Sequence, residues 1–173
     1  MKAFLRVADA LALFGAVVAG FSLAALVVLS GAEVLLRSFF SKSLTFVVEY
    51  NGYLLALAFI GGCGQAMREG GHIRVTMLPQ ALPAGAARAL DILCTIVGLG
   101  LAGYLCTSMA LLAQGSFAYG TLSFYASRTP LAYPQAAVAL LLAIFVVSLL
   151  ARLVRLLTGE APDRPVTAET GAH

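Results

Sequence analysis

The run Glu49–Pro79, EYNGYLLALAFIGGCGQAMREGGHIRVTMLP, decides the fold. From Tyr50 to Met67 it carries no charge, close to the roughly 20 apolar residues a helix needs to cross a bilayer. A carboxylate opens the run, and Arg68, Glu69, Gly70, Gly71, His72 and Arg74 close it. An apolar rod that stops at a basic, glycine-hinged step is the pattern of a membrane span meeting the cytoplasmic surface.

Three similar runs surround it. Ala10–Ala32 is uncharged and follows Lys2 and Arg6; it is longer than the apolar core of about 7–15 residues in a secretory signal, so it reads as a retained first span. Ile92–Ala113 and Leu131–Leu150 supply the others, the last starting between Pro130 and Pro134 and stopping at Arg152 and Arg155. The pattern predicts an all-α membrane protein of four transmembrane helices with spans at about 10–34, 47–67, 91–113 and 131–151, the third helix starting at Pro83 and running through Arg88 and Asp91 before it crosses, so that it tilts or protrudes on its basic side. These form one domain over 1–158. Between the second and third spans, Ile73 with Met77 and Leu78 with Leu82 stand at i,i+4 spacing while Pro79 and Pro83 forbid one long helix, which predicts a short amphipathic segment over 72–82 lying in the interface. Residues 159–173 are small and polar and are expected to be a disordered cytoplasmic tail.

Composition agrees. Of 173 residues 61% are hydrophobic and 11% charged, with mean hydropathy +0.95, against about 25% charged in soluble domains. Four spans place both termini on one side. That side carries Lys2, Arg6, Arg68, Arg74, Arg88, Arg152, Arg155 and Arg164, and the other only Arg37, Lys42 and Arg128; positive residues stay inside, so both termini are expected in the cytoplasm. The basic residues form no stripe, which argues against nucleic acid as a partner.

No constellation for chemistry stands out. Gly98, Gly100 and Gly103 spell G-x-G-x-x-G but sit within an uncharged span, where close helix packing explains them better than a dinucleotide site. Gly61, Gly62 and Gly64 read as packing positions in the same way. Glu33 lies four residues before Arg37, spaced for an ion pair at the end of the first span; a coupling carboxylate is the sharper alternative. Glu49 is expected to pair with Arg37, Lys42 or a partner chain. His72 and His173 are too few for two axial haem ligands within the membrane, and His72 is expected to bond lipid head group or protein. Cys63, Cys94 and Cys106 lie unpaired in apolar runs as packing residues. No catalytic, cofactor, metal or substrate-binding residue is expected in this chain.

Several short motifs carry a resemblance. Val34-Leu35-Leu36-Arg37 closes the first span, Glu49 opens the second, Phe59-Ile60-Gly61-Gly62 and Met67-Arg68-Glu69-Gly70-Gly71-His72-Ile73-Arg74-Val75 follow, then Leu82-Pro83 and Thr129-Pro130-Leu131-Ala132-Tyr133-Pro134. In these the chain resembles the small membrane subunit of tripartite ATP-independent periplasmic (TRAP) transporters. It departs in having no Trp: Phe46, Phe59 and Gln135 stand where that family usually has one. The resemblance implies a non-enzymatic scaffold of the bacterial inner membrane. Its partners would be lipid, a large multispan subunit with the substrate and sodium sites that moves elevator-fashion, and a periplasmic binding protein delivering a C4-dicarboxylate, keto acid or sugar acid. The competing expectation is a self-sufficient four-span exporter that uses Glu33 for coupling.

Overall fold

The computed structural model describes residues 2–69 and 84–159. The predicted interfacial segment at 72–82, the Gly70-Gly71 break, His72 and the polar tail beyond Gly159 lie outside the described residues. Four helices make up the fold: α1 (Lys2–Phe40), α2 (Val47–Arg68), α3 (Ala84–Tyr119) and α4 (Ala132–Thr158). All four are long and apolar enough to cross a membrane.

α2 matches its predicted bounds closely, and α3 begins at Ala84, next to the predicted start at Pro83. α1, α3 and α4 run well beyond the apolar stretches, with 39, 36 and 27 residues. At 1.5 Å per residue α1 is roughly 58 Å long, nearly twice the hydrocarbon thickness. In α1 and α4 the extensions bury one face, and in α3 Arg88 bonds the Leu156 carbonyl of α4. In α1, Leu5, Ala8, Ala12 and Gly15 recur at three- and four-residue spacing and are buried. In α4 the pattern continues through Leu149, Ala151, Arg152, Arg155 and Leu156. A hydropathy run therefore marks where lipid stops, and the helix continues wherever side-chain partners remain.

α4 is the hub. It packs on α1, α2 and α3, and α1 packs on α2, whereas α3 contacts neither α1 nor α2. Small residues set the closest approach. A Cβ built on Gly15 would lie 2.7 Å from the Gly61 carbonyl oxygen, and one on Gly61 would lie 2.7 Å from the Gly15 oxygen. The two backbones touch, the geometry by which helices gain dispersion contact without a hydrophobic drive in lipid. A Cβ on Gly64 would lie 2.9 Å from Ser148 Oγ, while one on Gly62 would meet only the Ala19 methyl at 4.0 Å. Gly61 and Gly64 thus serve packing within this chain and Gly62 does not. Nothing lies within 4 Å of a Cβ on Gly98, Gly100 or Gly103; among the described residues, the expected helix contact at that glycine run is absent. Cys94, expected to pack, is exposed on α3.

The connections at the end bearing Glu33 and Glu49 are ordered by backbone bonds. Ser41 takes a left-handed φ of 51° and the Lys42 N–H returns to the Leu36 carbonyl, closing α1. Between α3 and α4 the chain forms a small hairpin. Gly120 turns with φ 59°, Leu122 bridges Pro130, the Ser123 N–H bonds the Thr129 carbonyl and the Leu131 N–H bonds Thr121.

Candidate functional site

Charged side chains collect at the two ends of the bundle, and each end spends them differently. At the first end, Glu33 is 9% exposed and accepts three hydrogen bonds: from Arg37 at 2.6 Å, Ser43 Oγ at 2.7 Å and the Leu44 N–H at 2.6 Å. The i,i+4 ion pair forms, but its guanidinium is the solvent-facing partner. The other two donors come from the loop after α1, so the carboxylate clasps the α1–α2 connection to the helix it leaves. Charge-assisted bonds are stronger than neutral ones, so the loop donors hold this carboxylate more firmly than an exposed i,i+4 pair alone would.

Glu49, 4% exposed, does not take the expected Arg37 or Lys42 pairing. Its carboxylate accepts from Tyr53 OH at 2.6 Å and from the Ser127 hydroxyl at the hairpin tip. Two geometric facts account for this. Tyr53 is one turn along the same helix, and the hairpin folds back over the α2 N-terminus. The helix dipole there favours a negative charge and supplies part of what a cation would. Glu49 therefore fastens the α3–α4 hairpin to α2.

The opposite end carries an ion-pair lattice that joins all four helices. Asp9 of α1 contacts Arg155 of α4 at 2.7 Å and Arg68 of α2 at 3.2 Å. Asp91 of α3 receives both its bonds from Arg152 of α4 at 3.0 Å. Arg88 of α3 donates to the Leu156 carbonyl at 2.6 Å, satisfying one of the acceptors that the end of α4 leaves unpaired. Arg152 and Arg155 are only 3% and 5% exposed. A guanidinium so far from water is tolerable only with a carboxylate at hydrogen-bond distance.

Between these ends the chain offers little polar surface to a solute. A groove of about 380 Å³ between α2, α3 and α4 is walled by Leu101, Ala102, Leu105, Leu142 and Phe145, with Asp91 and Arg152 at one limit. Neither Glu33 nor Glu49 lines it. Among the described residues, no three His, Cys, Asp or Glu side chains gather as metal ligands.

The family described as tripartite ATP-independent periplasmic transporters, DctQ component, matches residues 26–159. The chain belongs to this family. As a member of the DctQ-component family it is a multi-pass membrane component of a transporter and not an enzyme. It is 38% identical over 65 residues to the ectoine TRAP transporter small permease protein TeaB of Halomonas elongata, a match covering 38% of this chain and 34% of the relative. The chain thus spans about a third of the length of that curated relative. No solved structure matches.

Within the DctQ-type fold the sequence-predicted residues separate. Glu33 and Arg37 sit together, and Glu49 lies at the same end in a different bond set. Gly61 lies at the α1–α2 crossing, Gly62 beside it, and Arg68 at the far end on Asp9. The sequence reading missed Asp9 and the partnership of Asp91 with Arg152, and it treated Arg152 and Arg155 as charges that simply end a span. A signal was present. Arg152 and Arg155 share a helix face with Leu149, Ala151 and Leu156, and α1 and α3 each carry one acid near the same end.

Proposed function

We infer that this chain is the fixed scaffold of a sodium-coupled, binding-protein-dependent importer of an organic acid, bracing a large elevator subunit in the inner membrane with both termini cytoplasmic. The observation that carries the reading is where the charge goes. The acids and most arginines at the bundle ends bond to one another, to hydroxyls or to backbone. The remaining outward surface is broadly apolar, with Val27, Val28, Phe59, Val97, Leu101 and Leu111 among many exposed side chains. Such a body suits contact with lipid and another apolar subunit, and the groove its described residues form between α2, α3 and α4 is walled mainly by apolar side chains.

The substrate and sodium sites belong, on this reading, to the large subunit, and the solute reaches it on a soluble binding protein. A C4-dicarboxylate, keto acid or sugar acid is the proposed cargo class; the name of the Halomonas relative adds ectoine as a probe worth including. The test is reconstitution. Liposomes holding the large subunit with this chain, supplied with the binding protein and a sodium gradient, should accumulate the acid, and liposomes holding this chain alone should not. Uptake or export by this chain alone, abolished by Glu33→Gln, would instead establish the self-sufficient exporter. The three donors that fix Glu33 at a helix end argue against that role, since a coupling carboxylate must exchange its partners.

A further inference from the structure

Among the described residues α3 packs on α4 alone. The space this leaves between α2, α3 and α4 is the groove of about 380 Å³. Its lining suits hydrocarbon. Gly98 and Ala102 of α3 give it depth, and Leu101, Leu105, Leu142 and Phe145 wall it. The one hydroxyl on its lining residues, that of Thr95, already donates to the Asp91 carbonyl of its own helix at 2.7 Å. Charge stands at one end only, where Asp91 accepts two bonds from Arg152 at 3.0 Å. The carboxylate is the outward member of that pair, with its side chain 30% exposed against 3% for the guanidinium.

Dimensions narrow the choice of occupant. From Asp91 to Leu105 the α3 wall extends about 21 Å at the helical rise. Half the hydrocarbon core is about 15 Å, so the groove runs from the membrane surface through one leaflet. A helix about 10 Å across would need on the order of 1,600 Å³ over that length, several times what the groove holds. Water does not fill apolar cavities of this kind, and an empty cleft forfeits the contacts its lining atoms could make.

We propose that the groove holds one acyl chain of a membrane phospholipid whose head group carries a primary amine, with the ammonium at Asp91. The chain replaces the contact that α3 lacks on its α2 side and fastens that helix to the bundle. The mouth selects the head. An ionised carboxylate has about four acceptor sites, of which Arg152 takes two. A primary ammonium can donate to the outward ones, a quaternary ammonium has no N–H to offer, and a phosphoglycerol head brings only like charge. The inference needs only that the helices cross the bilayer, and it stands apart from the scaffold reading.

The test reconstitutes this chain with the large subunit in nanodiscs of mixed phosphatidylethanolamine, phosphatidylcholine and phosphatidylglycerol. Native mass spectrometry after release into mild detergent then counts retained lipid. Gly98 lines the groove and a Cβ there meets nothing within 4 Å, so Gly98→Phe sets a ring in the path of the chain. Gly100→Phe, equally open but outside the groove lining, is the matched control. Wild type, Gly98→Ala and Gly100→Phe should each keep one more lipid than Gly98→Phe. In that lipid phosphatidylethanolamine should exceed its bilayer share about threefold, the size of an exposed charge contact. A phosphatidylethanolamine with a diazirine on its acyl chain should also label Thr95 or Ala102, which are 5% and 4% exposed. Equal lipid counts for wild type and Gly98→Phe, or retention of phosphatidylglycerol in preference, overturn the proposal. Labelling of the complex confined to outward side chains such as Leu93, Val97 and Tyr104 marks bulk lipid and overturns it too. Thr95 or Ala102 labelling that disappears when the large subunit is added assigns the groove to that subunit, with the same consequence. Co-purification checks assembly, and where Gly98→Phe does not assemble the wild-type labelling decides alone.

Discussion

Asp9→Ala should be the most damaging single change at the ion-pair end. Its carboxylate is shared by Arg155 at 2.7 Å and Arg68 at 3.2 Å, and the Arg155 side chain is only 6% exposed. Removing it strands a buried guanidinium, a class of change that costs about 3–5 kcal/mol. Arg155→Met is gentler, because Asp9 is 24% exposed and keeps Arg68; an apolar side chain also suits the site between Ala151 and Leu156. About 1–2 kcal/mol is expected there. The double variant should recover part of the Asp9→Ala loss, since no charge is then left buried opposite a missing partner. A coupling of about 1–3 kcal/mol is expected. The measurement is a detergent-denaturation midpoint followed by helical circular dichroism, with Lys2→Ala as the exposed reference. Strict additivity of the two changes, or an Asp9→Ala midpoint equal to that of Lys2→Ala, would refute the lattice as a source of stability.

Other consequences are quicker to check. Gly61→Ala places a methyl against the Gly15 carbonyl and should cost about 1–3 kcal/mol as overpacking; Gly62→Ala, which meets only the Ala19 methyl, should leave the same denaturation midpoint nearly unchanged. Glu33→Ala should speed amide exchange at Leu44 and through the α1–α2 connection, because the Leu44 N–H and the Ser43 hydroxyl lose their acceptor. Arg37→Ala, which removes only the exposed partner, should do much less. Reporters fused at either terminus should show a cytoplasmic location, as fluorescence without alkaline phosphatase activity. The opposite pattern at both termini would reverse the proposed orientation.

The four helices were legible because lipid imposes a simple rule, a run of about 20 apolar residues per crossing. Helix lengths were legible only for α2 and for the start of α3, which Pro83 marks. The extra turns of α1, α3 and α4 are held by pairs such as Asp9–Arg155 and Asp91–Arg152, whose members are 146 and 61 positions apart. Only the three-dimensional meeting of α4 with its neighbours makes them partners. Glu33 illustrates a half-legible site. Its i,i+4 relation to Arg37 is visible in the spacing, yet Ser43 and the Leu44 amide reach it only after Ser41 turns the chain back. The glycines divide for the same reason. Sequence marks Gly61 and Gly62 alike, and the face that α2 turns toward α1 decides which one touches.

The lattice bears on the orientation argument as well. Three of the arginines counted toward the cytoplasmic side, Arg68, Arg152 and Arg155, pair with Asp9 or Asp91 inside the bundle. Taken at face value, pairing cancels much of the excess positive charge on which that side was chosen. The positive-inside bias, however, follows Lys and Arg within reach of each span end, and acidic residues contribute little to it. Helices cross the bilayer first and associate afterwards. While α4 is being inserted, Arg152 and Arg155 have not yet met Asp91 or Asp9, which lie 61 and 146 residues earlier in the chain. Each still resists translocation as an isolated cation. The same arginines can therefore orient the chain as it enters the membrane and later neutralise buried carboxylates, so their burial in the finished bundle does not subtract them from the count.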